Sequence, residues 1–323
     1  MEAKILKFKS YTEEDLLNQN KFKVYLNYLK SISNLLDHSY FTETRYLEEI
    51  IFSKTFKDIK SKNTDIGKIT KLLRNSWLTE IQLNFTKDHP EFMAYSNHWA
   101  CVQLYYSVYL SLRALSVAMN KQEPGAHHHA ATLREISQDI YNRPNLFPYP
   151  WRVICAGDPN KPNFIYLPQN VLISPISPLV SNPKFWDSYS TFLKTTRKRQ
   201  LESKRKDWLN KNKRKNLSKE ARKEITTKMP PTTFFDCLYR LRTRANYQDA
   251  ELFLMAIEIE EWAKTFNYSL RNIANHTLLI IELLIMRYMG KQNFVKIVSD
   301  FLKYEKHSNR AVAERWKLLN TLY

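Results

Sequence analysis

Glycine is nearly absent: the 323-residue chain holds four, Gly67, Gly125, Gly157 and Gly290. Phosphate-cradling loops and dinucleotide fingerprints need glycines close together, for positive φ and close backbone approach. Neither G-x-G-x-x-G nor a Walker loop can be assembled here, which excludes those enzyme classes. Cysteine is scarce too. Cys101, Cys155 and Cys237 lie far apart with no C-x-x-C pair. Neither a disulfide framework nor a zinc ribbon is expected, and a reducing cytoplasm fits. The opening MEAKILKFKSYTEEDLL lacks the apolar run of a signal peptide. Only Trp99 to Met119 is long and apolar enough to resemble a membrane span, but Arg113 sits in its second half, with Gln103 and three serines. An arginine inside a span costs about 2.5–3.5 kcal/mol even on lenient scales. A buried core helix is the expectation.

What the chain does have is hydrophobic mass and positive charge. Hydrophobic residues make up 43%, enough for a core, and the formal charge is +18 with a pI near 9.6. Such an excess points to a polyanion, either nucleic acid or a membrane surface. The charge is concentrated. Residues 194–228 hold 15 Lys and Arg against 4 acids. That surplus of 11 is more than solubility requires and favours contact with a nucleic-acid backbone through Arg197, Lys198, Arg199, Lys204, Arg205, Lys206, Lys211, Lys213, Arg214 and Lys215. A solvated or partner-facing arm is the alternative.

Apolar spacing predicts helices through residues 1–88 and again over 89–142, where Pro90 opens a long one. Nine of the 13 prolines fall between Pro144 and Pro183, which forbids a long helix there. Within that stretch WRVICAGDPNKPNFIYL reads as two short extended runs around a turn. The insert 143–230 therefore divides the chain, and 231–290 and 291–323 return to helix. Thr233 with Asp236 resembles a capping box opening a helix that NYS, Asn267–Ser269, interrupts. Ser269 then caps the next helix, and Gly290 ends it.

Two separated segments carry a family likeness. CVQLYYSVYLSLRALSVAM followed by a histidine-bearing helix, and YRLRTRANYQDAELFLMAIEIEEW, resemble the two halves of a HEPN domain. The resemblance covers Glu91–Tyr141 and Pro231–Glu282. It implies an all-α bundle that binds or cleaves RNA without a metal, often as a dimer, in toxin or antiviral defence systems. The expected architecture is thus an HEPN-like bundle with extra terminal helices and a Pro-rich, basic insert carrying a small β-hairpin.

Leu238, Leu241, Ala245 and Leu252 fall on one helix face and should be core. Arg242, Asn246 and Asp249 form a polar ladder in which Arg242 should bridge to Asp249. Arg240 and Arg244 lie close together; they suit a phosphate equally with a structural role. Asn246 and Tyr247 join them as nucleic-acid contacts. SLRNIANH gives the sharpest catalytic candidate. By the resemblance, Arg271, Asn272 and His276 match the spacing of the HEPN ribonuclease motif, with His276 as acid or base, Arg271 stabilising phosphorane charge and Asn272 orienting it. If Ser269 is a cap, Arg271 lies in an anion-favouring first turn. Against this, five residues of helix turn the side chains about 140° apart, so both could act only with a second chain or a helix break. Asn246 also stands where the family places its histidine.

His127, His128 and His129 are consecutive, so on a helix they diverge by about 100° each and hold no metal together. No metal or cofactor is expected. Two readings stand side by side: a metal-independent endoribonuclease, or a noncatalytic subunit that binds nucleic acid, foremost RNA, or protein within a larger assembly.

Overall fold

The computed structural model describes residues 13–87, 89–121, 129–160, 165–166, 183–248, 252–253, 260–304 and 310–323. These are almost entirely helical. Helices α1 (Glu13–Leu36), α2 (Ser39–Thr42), α3 (Arg45–Phe52), α4 (Lys54–Lys57) and α5 (Ile66–Phe85) precede the long α6 (Pro90–Ala118). Then come α7 (His129–Asn142), α8 (Pro183–Lys211), α9 (Lys219–Lys228) and α10 (Phe234–Thr243), followed by a π-helical turn, Arg244–Gln248. The chain closes with α11 (Glu260–Met289), α12 (Lys291–Tyr304) and α13 (Arg310–Leu322). Extended structure among the described residues is one antiparallel pair, Ile154–Cys155 with Ile165–Tyr166, and a bridge from Cys155 to Thr232. Of the residues joining that pair, 161–164 lie outside the described ones.

The centre is built on α6 and α11. Helix α6 packs against α5, α10 and α11, while α1 lies across α11 and α8. One apolar cluster runs from Phe22 through Tyr105, Trp151, Leu241 and Ile281 to Leu319, so the terminal helices share a single core with the middle. Leu238, Leu241, Ala245 and Leu252 are all buried in it. Trp99–Met119 forms the apolar body of α6, and no described helix is long and apolar enough to cross a membrane.

Local signals explain several boundaries. Proline at position 90 starts α6, where its missing N–H costs nothing. The Thr233 N–H donates to the Asp236 carboxylate at 2.8 Å, one arm of the capping box that opens α10. Gly290 takes φ 87° after α11, a conformation other residues adopt only under strain.

The NYS stretch does not interrupt a helix. Helix α11 passes through it without a break, and Ser269 is interior: its hydroxyl donates to the Thr265 carbonyl at 2.7 Å. Asn267, also buried, exchanges hydrogen bonds with Thr86 at the end of α5. Polar groups that read as a stop are satisfied sideways. Earlier in the chain, α10 passes at Thr243 directly into the π turn.

Candidate nucleic-acid interface

The basic insert folds as a helical arm. Its base is apolar: Tyr189, Phe192 and Leu193 of α8 are fully buried, and Phe192 stacks on Tyr28 of α1 at 4.6 Å. Leu201 is the last buried residue of α8. Beyond it the helix runs outward with Arg205, Trp208 and Leu209 half-buried and the rest exposed, and in α9 only Ala221 is buried. Ser218 caps α9 through its hydroxyl, which accepts from the Ala221 N–H at 3.2 Å.

Within this arm Lys206, Lys211, Lys213, Arg214 and Lys215 are exposed and make no ion pair with any described residue. Lys204 has only a loose 3.8 Å contact with Asp207, both exposed, which contributes little. Arg199 is exposed, and Lys198 is half-buried. Arg197 leaves the candidate set. It is fully buried and donates to the carbonyls of Gly157, Thr226, Met229 and Pro230, binding α8 to the end of α9. A guanidinium with its donors spent on buried carbonyls is a structural tie.

Arg240 continues that tie on α10. Its Nη1 donates to Thr195 at 2.6 Å and Thr196 at 3.1 Å, and its guanidinium lies over Phe192 and Tyr25. It is thus committed to the base of the arm. Asp249 lies outside the described residues, and the hydrogen bonds described for Arg242 are of another kind. Its Nη2 donates to the hydroxyls of Tyr106, 2.8 Å, and Tyr247, 3.0 Å, with its plane 5.3 and 4.8 Å from their rings. The π turn carries Arg244 and Asn246, both half-buried, and holds Tyr247 outward, 66% exposed.

Around Arg242 stands an aromatic cluster that the sequence reading did not assemble. His129, the first residue of α7, has Nδ1 2.8 Å from the Tyr105 hydroxyl, and its ring lies 4.3 Å from Tyr109 and 6.0 Å from Tyr239. Burial, with neighbouring tyrosines adding to it, holds the Tyr105 hydroxyl well above its ordinary pKa. The available signal was the i, i+4 spacing of Tyr105 and Tyr109 on α6. His127 and His128 lie outside the described residues.

SLRNIANH lands elsewhere, in the middle of α11. Arg271 lies well inside α11, away from that helix's first turn, and its Nε donates to Asn267 at 2.9 Å. Asn272 ties down the end of α1, donating to the Ser33 hydroxyl at 2.9 Å and to Asp37 at 2.8 Å. His276 packs against Phe41 and Tyr46 with Nδ1 3.2 Å from the Tyr46 hydroxyl. Burial, and secondarily the Arg315 charge, push its pKa down to about 4. Asn272 is thus spent on the end of α1, and His276 on a buried contact with α3.

Behind His276 lies a buried charge cluster. Every N–H of Arg315 is used: Glu80 and Glu282 are each held by two hydrogen bonds of 2.5–3.0 Å, and Asn275 accepts another at 3.1 Å. Trp77 adds an indole N–H to Glu282 at 2.8 Å. Glu80, Glu282 and Arg315 are at most 2% exposed, so this network ties α13 to α5 and α11.

No protein-family model, curated protein or solved structure matches the chain.

Proposed function

We propose that this is an HEPN-like RNA-binding protein acting as a noncatalytic subunit of a larger assembly, of the toxin or antiviral-defence type that the resemblance implies. The basic arm holds the phosphate backbone. Tyr247, raised on the π turn over Arg242, offers a ring on which an unpaired base can stack. The observation that carries the reading is the set of unpaired cations from Lys206 to Lys215, displayed on an arm whose base is fixed by buried aromatics and Arg197. Cations not spent inside the protein remain free to displace counterions from a polyanion. The choice of RNA over DNA rests on the HEPN resemblance.

The noncatalytic half of the reading rests on His276. A general acid or base works best with a pKa near the working pH, whereas His276 is held near 4 behind Tyr46. The test is incubation of purified protein with labelled single-stranded RNA, and with DNA of the same sequence, in EDTA. A clear band shift with intact RNA supports the proposal. Products ending in 2′,3′-cyclic phosphate would replace it with a metal-independent endoribonuclease.

A further inference from the structure

A cleft of about 640 Å3 opens where several helix ends meet, and no residue of the basic arm lines it. Thr55 and Asp58 come from α4 and its cap, Lys60 and Lys62 from the following loop, Lys121 from just past α6, and Arg143 from just past α7. Its floor is apolar, formed by Ile59, Met119 and the ring of Tyr288. The volume falls within the roughly 300–1,000 Å3 usual for small-molecule sites.

The charge is not cancelled within the cleft. Lys121 and Arg143 share one carboxylate, that of Asp139. Asp58 offsets one further cation, so four cations face two acids. Helix C-termini attract cations on their own account, which would make this gathering purely structural. Here, however, the helix-end carbonyls are largely satisfied by backbone. Ser116 and Val117 accept from the N–H groups of Lys121 and Asn120, and Tyr288 accepts from that of Lys62. Side chains take three more: Arg287 donates to the Phe56 and Lys57 carbonyls at the end of α4, and Lys62 Nζ to the Met119 carbonyl at 3.0 Å, which leaves that ammonium two further donors. The Thr55 hydroxyl, the Asp58 carboxylate and the Lys60 ammonium have no side-chain partner among the described residues.

We propose that this cleft binds a nucleoside monophosphate. The cations take the phosphate, Asp58 accepts from a ribose hydroxyl while disfavouring a longer phosphate chain, and the apolar floor carries the base. In a chain without a glycine-rich loop, side chains must supply the phosphate contacts that backbone N–H groups supply elsewhere.

Calorimetric titration of the full chain with the four common nucleoside monophosphates, their nucleosides and inorganic phosphate tests this. At least one monophosphate should bind one to one, about ten-fold or more tighter than its nucleoside and than phosphate. Lys60→Glu, at an exposed position, should weaken it about ten-fold or more, with unchanged thermal unfolding and RNA affinity. A second variant, with Lys206, Lys211, Lys213, Arg214 and Lys215 changed to Gln, should bind the nucleotide as wild type does. The proposal is overturned by absence of binding, by equal affinity in Lys60→Glu, or by loss in the arm variant. None of these results bears on RNA binding by the arm.

Discussion

Acidification should weaken this fold through His276, and the size follows from its surroundings. The imidazole has an ordinary pKa of 6.5 and is held at about 4 in the folded chain, first by burial and then by the Arg315 charge. The unfolded chain therefore takes up this proton more readily. Stability is full above about pH 6.5 and is lost as pH falls from there toward 4. At pH 5 the linkage amounts to about 2 kcal/mol, of a total near 3.4 kcal/mol at one pKa unit per 1.36 kcal/mol. His276→Gln removes the titrating group, and the chain's other histidines are common to both proteins. Urea unfolding followed by tryptophan fluorescence at pH 7.5 and 5.0 should show wild type losing about 2 kcal/mol more than the variant. Parallel losses in the two proteins would refute a buried, neutral His276. They would also reopen its candidacy as an acid–base group.

Three other substitutions separate structure from function. Arg315→Met should destabilise the chain by about 3–5 kcal/mol in denaturant unfolding, because two buried carboxylates lose their cation. Adding Glu80→Gln and Glu282→Gln should recover part of that loss. Arg197→Gln should also unfold at distinctly lower denaturant, since buried carbonyls lose a charged donor; Arg199→Gln should change stability by no more than about 0.5 kcal/mol. Tyr247→Ala should weaken single-stranded RNA about ten-fold and leave duplex RNA unchanged, while Tyr247→Phe keeps the stacking face and binds nearly as wild type.

What could be read from the sequence was whatever local chemistry decides. Proline at position 90, the Thr233–Asp236 box and the glycine after Met289 act on neighbours within one turn, and each marks a helix boundary in the structure. The insert's charge was equally legible, because no fold could bury so many cations. The errors came from distant partners. Asn267 looks like a stop until Thr86, 181 residues away, supplies its hydrogen bonds. Arg197 looks like its neighbours Lys198 and Arg199 until Pro230 and Met229 fold over it. In SLRNIANH the spacing gave residue types but not directions, and Tyr46, Ser33 and Asp37 settle where those side chains go. The aromatic cluster required α6, α7 and α10 to meet, which no single segment encodes.

The central claim, that the arm between Arg199 and Lys215 grips a nucleic-acid backbone, is tested most directly by the salt dependence of RNA affinity. With about five phosphate contacts to a single strand, log K should fall against log salt concentration with a slope near −3.5. Changing Lys206, Lys211, Lys213, Arg214 and Lys215 to Gln should flatten that slope by more than half, with helix content and thermal unfolding unchanged. An unaltered slope in the folded variant would mean that the arm does not touch RNA.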